Sequence, residues 1–330
     1  MTASEQIAEA KRLCLSGERL PRGLVTALLA IPTDSEECEA LGRAAREAAS
    51  VLCHDRAYLW GAIGLDFKPC TMNCDFCSLG EAWGVVGQPQ ELGEAEIIEM
   101  VRRYHAQGVR WIVLRTTEFY SLDRLSVLLQ SIRRAVPGAY ELGLNVGEFD
   151  DARAEALAAI GADFIYHALR LREGRDTRFD PALRLKTLRA VQRSPMKLVF
   201  LVEPVGVEHT DEEIAERIDT VLDCGAQISG AMVRVPVQGT PLGRYPKLPD
   251  RRMAQIIAVI RLACGRFAPD ICVHTASECA MQWGANVTVV EQGAIPRDTA
   301  PSETVWNGFT CDMARAWFQN AGYTVHQTPK

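Results

Sequence analysis

The chain lacks any stretch of about 18 consecutive apolar residues, the length that a membrane-spanning helix needs. It also lacks a lysine-rich run, and its formal net charge of -6 over 330 residues offers no basic surface for a nucleic acid. The first residues, MTASEQIAEAKRLCLSG, carry charges throughout, which predicts an amphipathic helix and not a signal peptide. We therefore expect a cytoplasmic protein that binds neither a membrane nor a nucleic acid.

A disulfide framework is not indicated either. The eleven cysteines are an odd number in a chain far longer than a small disulfide-rich domain. Eight of them lie scattered, mostly in apolar segments, where cysteine packs as a small hydrophobic residue. The other three fall within the segment KPCTMNCDFCSLG, residues 68–80. This usage favours a reducing compartment over a secreted protein.

The sequence has no glycine-rich dinucleotide fingerprint after its first predicted strand, which disfavours an open doubly wound sheet. Instead, short apolar runs alternate with helical segments. The eight runs are AYLWGAIGLDF, WIVLRT, YELGLNV, FIYHALRL, KLVFLVEPV, SGAMVRVPV, ICVHT and NVTVVE. Eight parallel βα units close a barrel, so we predict a (β/α)8 TIM barrel over residues 57–295. Residues 1–56 are predicted as an N-terminal helical extension and residues 296–330 as a C-terminal helical segment.

The three clustered cysteines directly follow the first predicted strand, at the barrel end where active sites form. Zinc commonly takes two separated C-x2-C pairs, and only one pair, Cys74 and Cys77, is present here. A redox pair of the C-x-x-C type has no need of Cys70. A cubane iron–sulfur cluster with three thiolate ligands leaves its fourth iron open to a small ligand. The C-x3-C-x2-C spacing therefore favours such a cluster.

The segment resembles the signature of the radical S-adenosylmethionine (SAM) superfamily, with Phe76 as the aromatic residue before the last cysteine. The resemblance implies that Cys70, Cys74 and Cys77 hold a [4Fe–4S] cluster and that SAM chelates the open iron. One electron then cleaves SAM to methionine and a 5'-deoxyadenosyl radical, so a reductant such as ferredoxin or flavodoxin is implied as a partner. Most of the barrel resembles the branch that contains biotin synthase, the [FeFe]-hydrogenase maturase and methylornithine synthase.

Three segments after predicted strands resemble parts of that branch that contact SAM or substrate. They are LRTTEF, NVGEFD and LRLREGRDTRFDP. Carried over by this resemblance, the candidate residues are Thr117, Glu118, Asn145, Glu148, Glu173 and Arg178. Arg170 is a second basic candidate, because an arginine fork suits the carboxylate of SAM. For Arg172 and Arg175 we expect a solvated loop.

The strand cysteines that hold a second cluster in biotin synthase have no counterpart here, which disfavours an authentic biotin synthase. Another grouping of Cys272, Cys279 and Cys311 is predicted as an auxiliary iron–sulfur cluster at the barrel top. The alternative is three buried thiols without a metal. For His274, beside this group, the expected role is a hydrogen-bonded neighbour.

Three functions remain open from the sequence. The first is hydrogen abstraction followed by sulfur insertion on an octanoyl chain, since several segments resemble two-component lipoyl synthases. It implies an auxiliary cluster, a partner radical SAM subunit and a lipoyl-carrier domain. The second is a radical SAM mutase or metallocofactor maturase without sulfur insertion. The third is a non-enzymatic iron–sulfur protein.

Overall fold

The fold is a closed barrel of parallel strands surrounded by helices, in a computed structural model that describes residues 1–326. The strands are β1 Arg56–Gly64, β2 Asp66–Phe67, β3 Gln90–Glu91, β4 Trp111–Arg115, β5 Glu141–Asn145, β6 Phe164–Tyr166, β7 Lys197–Val199, β8 Val202–Val205, β9 Ile228–Val233, β10 Asp270–His274, β11 Val287–Gly293 and β12 Thr324–Val325. The helices are α1 Ala3–Ser16, α2 Arg22–Leu29, α3 Glu36–Cys53, α4 Glu94–Ala106, α5 Leu122–Ala135, α6 Asp151–Ala159, α7 Pro181–Arg193, α8 Asp211–Asp223, α9 Asp250–Cys264, α10 Glu278–Gln282 and α11 Cys311–Asn320.

Barrel closure follows from the strand pairing. β1 pairs in parallel with both β4 and β11, and β10 pairs in parallel with both β9 and β11. The fifth strand of the barrel is split into two short segments, β7 and β8, and each of them pairs with β9. The predicted (β/α)8 barrel is confirmed. The predicted strand 57–67 differs in one respect, since its last residues form β2, which leaves the barrel and pairs antiparallel with β3.

Local capping explains why the helices begin where the sequence indicates. Thr210 caps α8 in a capping box with Glu213, so the side chain of each accepts from the backbone amide of the other. Asp180 caps α7, and Pro181 occupies its first turn. These signals reside in a few adjacent residues, which is why the predicted helix starts lie close to the observed ones.

The barrel interior is filled unevenly along its axis. Large side chains occupy the level where the strands begin, with Trp60 in edge contact with Phe164 and Tyr166 at ring distances of 6.2 and 5.3 Å. Trp111 lies beside Trp60 in the strand register. These rings close the lower barrel and leave the space at the C-terminal strand ends for a site.

The terminal segments pack onto the outside of the barrel. α1, α2 and α3 share one core with α9, and β12 pairs with the start of β1. The division into residues 1–56, 57–295 and 296–330 stays a prediction. Within residues 1–326, no helix combines the length and apolar character that a membrane crossing needs.

A buried arginine on α9 joins the outer helices to the barrel. Arg261 is fully buried, and its guanidinium donates to the Gly284 carbonyl (2.8 Å), to Asn286 Oδ1 (2.7 Å) and to the Pro269 carbonyl. Truncation would leave several buried acceptors without a donor, at about 1–3 kcal/mol each.

We expect Arg261→Leu to lower the free energy of unfolding by about 2–4 kcal/mol, because these acceptors lose their donor while part of the guanidinium desolvation cost is relieved. The measurement is anaerobic urea unfolding followed by circular dichroism. Arg43→Leu, at an exposed position of α3, is the matched control and should stay within about 0.5 kcal/mol. Equal unfolding midpoints for the two variants would contradict the assignment.

Candidate active site

The cysteine loop lies at the C-terminal end of β1 and is held by backbone hydrogen bonds. Cys70 N–H donates to the Leu79 carbonyl (2.6 Å), and Cys77 N–H donates to the Cys74 carbonyl (3.0 Å). The Trp83 indole N–H also donates to the Cys74 carbonyl (3.1 Å). These bonds fix the loop so that all three thiols face one cavity.

All three thiols are free and lie in a low-dielectric environment. Burial raises the pKa of Cys77 to about 11 and raises the pKa of Cys70 and of Cys74 as well. Burial alone therefore keeps these thiols protonated, and a positively charged metal centre is what would favour three thiolates here.

The spacing of the sulfur atoms disfavours a single zinc ion. Within residues 1–326, the group whose three ligand atoms lie within 4.8 Å of one another is Asp176, Glu208 and His209, and the cysteines do not form such a group. Sulfurs around one tetrahedral zinc lie about 3.8 Å apart, given a Zn–S bond of about 2.3 Å. The wider spacing fits a cluster that separates its ligands by more than one metal ion.

The side chains of the Asp176, Glu208 and His209 group are already engaged by other protein groups. Glu208 is paired with Arg234, and His209 Nδ1 accepts a hydrogen bond from the Gly206 amide (2.9 Å). A neutral His209 with Nδ1 as acceptor carries its proton on Nε2, so that nitrogen is not a metal ligand.

The cavity above the aromatic layer has a volume of about 1150 Å³, its open mouth included. Predicted residues that line it are Cys70, Cys74, Phe76, Cys77, Thr117, Glu118, Asn145 and Arg170. Glu148, Glu173 and Arg178 are not among its lining residues. The structure thus brings most, but not all, of the predicted site residues together.

Thr117 and Glu118 follow β4 and are placed by Asp66. The Thr117 amide and hydroxyl both donate to the Asp66 carboxylate, the amide at 2.7 Å. Glu118 then faces the cavity, and burial raises the pKa of its carboxyl. Gly147 lies against this turn, since a Cβ there would come within 2.4 Å of the Glu118 carbonyl. A side chain at position 147 would therefore displace Glu118.

Asn145 at the end of β5 donates from its side-chain amide to the Tyr166 carbonyl (2.8 Å), which directs the side chain across the cavity wall. Glu148 lies behind this wall with its side chain 21% exposed, and it contacts Arg184 (3.0 Å) and His167 (3.2 Å). Although burial opposes ionisation, His167 and Arg184 hold the pKa of Glu148 at about 2. Glu148 therefore positions Arg184 and does not contact the cavity.

Two arginines form the basic part of this wall. Arg170 and Arg184 both line the cavity, and Arg184 stacks on the Phe179 ring at 3.8 Å. Glu173 lies behind them, 3.5 Å from Arg170 and 3.6 Å from Arg184, with its side chain 1% exposed. Arg178 is exposed, and only its backbone amide contacts the cysteine loop, at the Met72 carbonyl (3.2 Å). Its predicted role in binding SAM stays a prediction that its position does not support.

The three cysteines of the predicted auxiliary cluster do not converge. Cys272 lies inside the barrel near Trp60, because alternation along β10 directs it inward. Cys279 on α10 and Cys311 on α11 belong to the core outside the strands. Strand alternation and helix facing therefore separate these thiols, and the auxiliary cluster stays a prediction that their positions do not support.

A second charged cluster lies in the sector formed by β10, β11, β1 and β4. Glu291 contacts Arg115 at 2.6 Å, His274 Nε2 at 2.8 Å, and Arg297. Arg115, His274 and Arg297 line the same cavity as the clustered cysteines. His274 is thus a hydrogen-bonded neighbour, as expected.

Several cavity residues escaped the sequence analysis. The signal for Arg184 is its place on the buried face of α7, four residues before Leu188 and seven before Val191. Glu203 interrupts the apolar run KLVFLVEPV, and Arg115 ends the run WIVLRT. A charged residue at an otherwise apolar position was the common signal for all three.

Comparison with known proteins now adds to this geometry. No model of a protein family matches the chain. The chain is 25% identical over 269 residues to the biotin synthase of Desulforudis audaxviator (strain MP104C), covering 78% of this chain and 79% of that protein. It is also 25% identical over 232 residues to a biotin synthase of Thermus thermophilus, covering 68% and 70%.

Two solved structures share the fold. Methylornithine synthase (PylB) has a TM-score of 0.76 at 18% identity and covers 96% of this chain and 97% of its own. HydG, a maturase of the [FeFe]-hydrogenase, has a TM-score of 0.78 at 14% identity and covers 98% and 75%. At these identities the structural likeness concerns the fold, whereas the biotin synthases are related in sequence over most of both chains. In sequence and in fold the chain is thus similar to radical SAM enzymes of the branch that contains biotin synthase and the hydrogenase maturase.

Proposed function

We propose that this enzyme holds one [4Fe–4S] cluster on Cys70, Cys74 and Cys77 and abstracts hydrogen from an unactivated carbon of a small charged substrate, without sulfur insertion. The observation that carries the proposal is the single cavity in which these three thiols face a ring of buried charges. The donor set supports it, because three free thiols spaced too widely for one zinc ion leave one iron of a cubane cluster open.

SAM fits the acidic sector of this cavity by charge. Four carboxylates and two guanidiniums line this sector or lie directly behind it, which gives a formal charge of -2: Glu118 and Glu203 with Arg170 and Arg184 at the cavity, and Glu148 and Glu173 behind them. SAM carries a sulfonium, an ammonium and one carboxylate, so its net charge is positive. Glu118 faces the cavity and is the carboxylate best placed to meet the ammonium group.

Unpartnered donors in this sector suit the carboxylate of SAM. Within residues 1–326, NH2 of Arg184 is buried without a hydrogen-bond partner, and Arg170 NH1 and Arg184 Nε make no hydrogen bond although they lie 3.5 and 3.6 Å from Glu173. An isolated buried donor costs about 1–3 kcal/mol, and an anion supplies the missing acceptor. Phe179 holds Arg184 in place by stacking, so its donors are oriented before the ligand binds.

A cluster held by Cys70, Cys74 and Cys77, once reduced by one electron, would supply the cleavage of SAM to methionine and a radical able to take a hydrogen atom from the substrate. The chain's own part is to orient the two ligands and to exclude water. The aromatic layer of Trp60, Phe164 and Tyr166 seals the barrel below the cavity. A reductant such as ferredoxin or flavodoxin would deliver the electron.

Sulfur insertion is the second candidate, and the sequence relationship to biotin synthases favours it. It would need an auxiliary cluster as a sulfur source, and for an octanoyl substrate also a partner radical SAM subunit and a lipoyl-carrier domain. The separation of Cys272, Cys279 and Cys311 argues against that cluster.

Iron content and SAM cleavage distinguish these candidates. After anaerobic reconstitution, we expect about four irons per chain and 5'-deoxyadenosine formation with dithionite, both unchanged in a Cys272→Ala/Cys279→Ala/Cys311→Ala variant. The measurements are iron and sulfide analysis and chromatography of the products. About eight irons falling to about four in the triple variant would instead establish an auxiliary cluster. A protein that binds iron without cleaving SAM would contradict the proposed function.

A further inference from the structure

We propose that the substrate carries an anionic group, such as a carboxylate, that binds between Arg115 and Arg297 in the radical cavity. This inference rests on the proposed function, because it names a property of the substrate for that reaction. The site lies in the β10, β11, β1 and β4 sector of the barrel, whereas Arg170 and Arg184 lie across the cavity.

The first observation is an imbalance of buried charge. Glu291 is shared by the guanidiniums of Arg115 and Arg297, so two positive charges meet one negative charge and one is left over. His274 does not supply the missing negative charge, since its ring is neutral or positive. The side chains of Arg115 and Arg297 are only 10% and 8% exposed, so water screens this excess poorly.

The second observation is a set of donors without acceptors. The Nε atoms of Arg115 and Arg297 are buried and have no hydrogen-bond partner within residues 1–326. NH1 of Arg297 contacts only the Met232 sulfur, at 3.7 Å, which is a weak acceptor. Because NH1 is cis to Cδ, the Nε–H and the NH1 group of Arg297 lie on different edges of the guanidinium, and an anion between the two arginines can instead accept one Nε–H from Arg115 and one from Arg297.

Arg297 is also held in a fixed orientation. Its guanidinium lies 4.8 Å from the centre of the Trp306 ring, and its NH2 group is paired with Glu291. The indole N–H of Trp306 donates to Asp298 (3.1 Å), which fixes the ring in turn. A donor oriented in this way before binding loses little conformational entropy when an anion arrives.

The other charged groups that line the cavity have partners of their own. Asp66 accepts the Thr117 amide and hydroxyl, and among the described residues it forms no ion pair with Arg115 or Arg297. Arg234, which lines the same cavity, is balanced one to one by Glu208 through both of its terminal nitrogens. The acidic sector carries an excess of carboxylates instead. The cavity therefore presents opposite charges in its two sectors, one suited to the cationic SAM and the other to an anionic second ligand.

The test uses acetate as the smallest carboxylate probe, with acetamide as its neutral analogue. Thermal unfolding of the anaerobically reconstituted protein is measured with SAM present, in sodium chloride of matched ionic strength. We expect acetate, but not acetamide, to raise the melting temperature of the wild type. The acetate effect should give a dissociation constant at least about 10-fold weaker in Arg297→Gln, because Arg115 and Glu291 then balance.

Two further variants test whether the rise in melting temperature caused by acetate follows the charge of the site. Glu291→Gln raises the excess from one positive charge to two, so its acetate response should exceed that of the wild type. Arg175→Gln, at an exposed position, should respond as the wild type does. Equal responses to acetate and acetamide, or a wild-type response in Arg297→Gln, would overturn the proposal.

Measuring SAM cleavage beside the acetate response distinguishes a failure of the anion site from a failure of the proposed radical reaction. SAM cleavage to 5'-deoxyadenosine is measured on the same samples without added carboxylate. Loss of SAM cleavage with an Arg297-dependent acetate response would reject the radical reaction and keep the anion site. Intact SAM cleavage without that response would reject the anion site alone.

Discussion

Replacing Cys74 with alanine is expected to reduce the iron of the reconstituted protein from about four per chain towards zero and to abolish 5'-deoxyadenosine formation. Cys74 is the most buried of the three clustered thiols, and its carbonyl accepts the Trp83 indole N–H and the Cys77 amide, so the backbone there is fixed. With the loop fixed, no other side chain can move in to replace the missing thiolate. Iron analysis and the absorption of the cluster between 350 and 450 nm, roughly the range of thiolate-to-iron charge transfer, are the measurements.

Cys279→Ala is the matched control, because it removes a thiol that belongs to the core outside the strands. It should keep its iron, its sulfide and its rate of SAM cleavage. Retention of about four irons by Cys74→Ala, or their loss in Cys279→Ala, would show that the cluster is held elsewhere. The pair of variants thus tests the assignment by position and not only by the presence of thiols.

The barrel and its helices could be predicted because their signals are local. The Thr210 capping box, the Asp180–Pro181 start of α7 and the apolar strand runs each lie within a few residues. The cysteine loop could be placed for a related reason, since a loop after a parallel barrel strand must lie at the C-terminal end. Secondary structure and strand order together determine these features.

Side-chain direction in irregular loops could not be predicted in the same way. Arg170 and Arg178 lie in one loop, and a positive φ of 55° at Arg172 turns the backbone between them. That turn leaves Arg170 in the cavity and Arg178 in solvent. Spacing along the sequence does not encode such a turn, because it depends on contacts such as the ion pair of Arg172 with Glu213 on α8.

Charged clusters whose members lie on strands far apart in the sequence could not be predicted, for a different reason. Arg115 and Glu291 are separated by 176 residues and meet only because β4 and β11 both flank β1. In the sequence each looks like an isolated charge at a strand end. The same reasoning applies to the auxiliary cysteines, whose closeness in sequence order concealed that β10, α10 and α11 turn them towards different cores.

Replacing Arg170 with methionine is expected to weaken SAM binding by about 30-fold or more, because truncating a buried charge partner costs about 2–5 kcal/mol. Arg170 lines the cavity, and Glu173 orients it from behind through an ion pair to NH1 at 3.5 Å. The measurement is anaerobic equilibrium dialysis with labelled SAM. Arg178→Met, in the same loop but exposed, is the matched control and should bind SAM with unchanged affinity.

A double-mutant cycle assigns the interacting group on the ligand. Decarboxylated SAM lacks the carboxylate but keeps the sulfonium and the amine, so it should bind the wild type more weakly than SAM does. In Arg170→Met this difference should largely disappear, because the arginine and the carboxylate act as one pair. If Arg170→Met weakened both ligands equally, Arg170 would only shape the wall, and Arg184, whose NH2 has no hydrogen-bond partner within residues 1–326, would become the partner of the carboxylate. If Arg178→Met instead abolished the preference for SAM, the loop would have to rearrange on binding so that the exposed arginine enters the cavity.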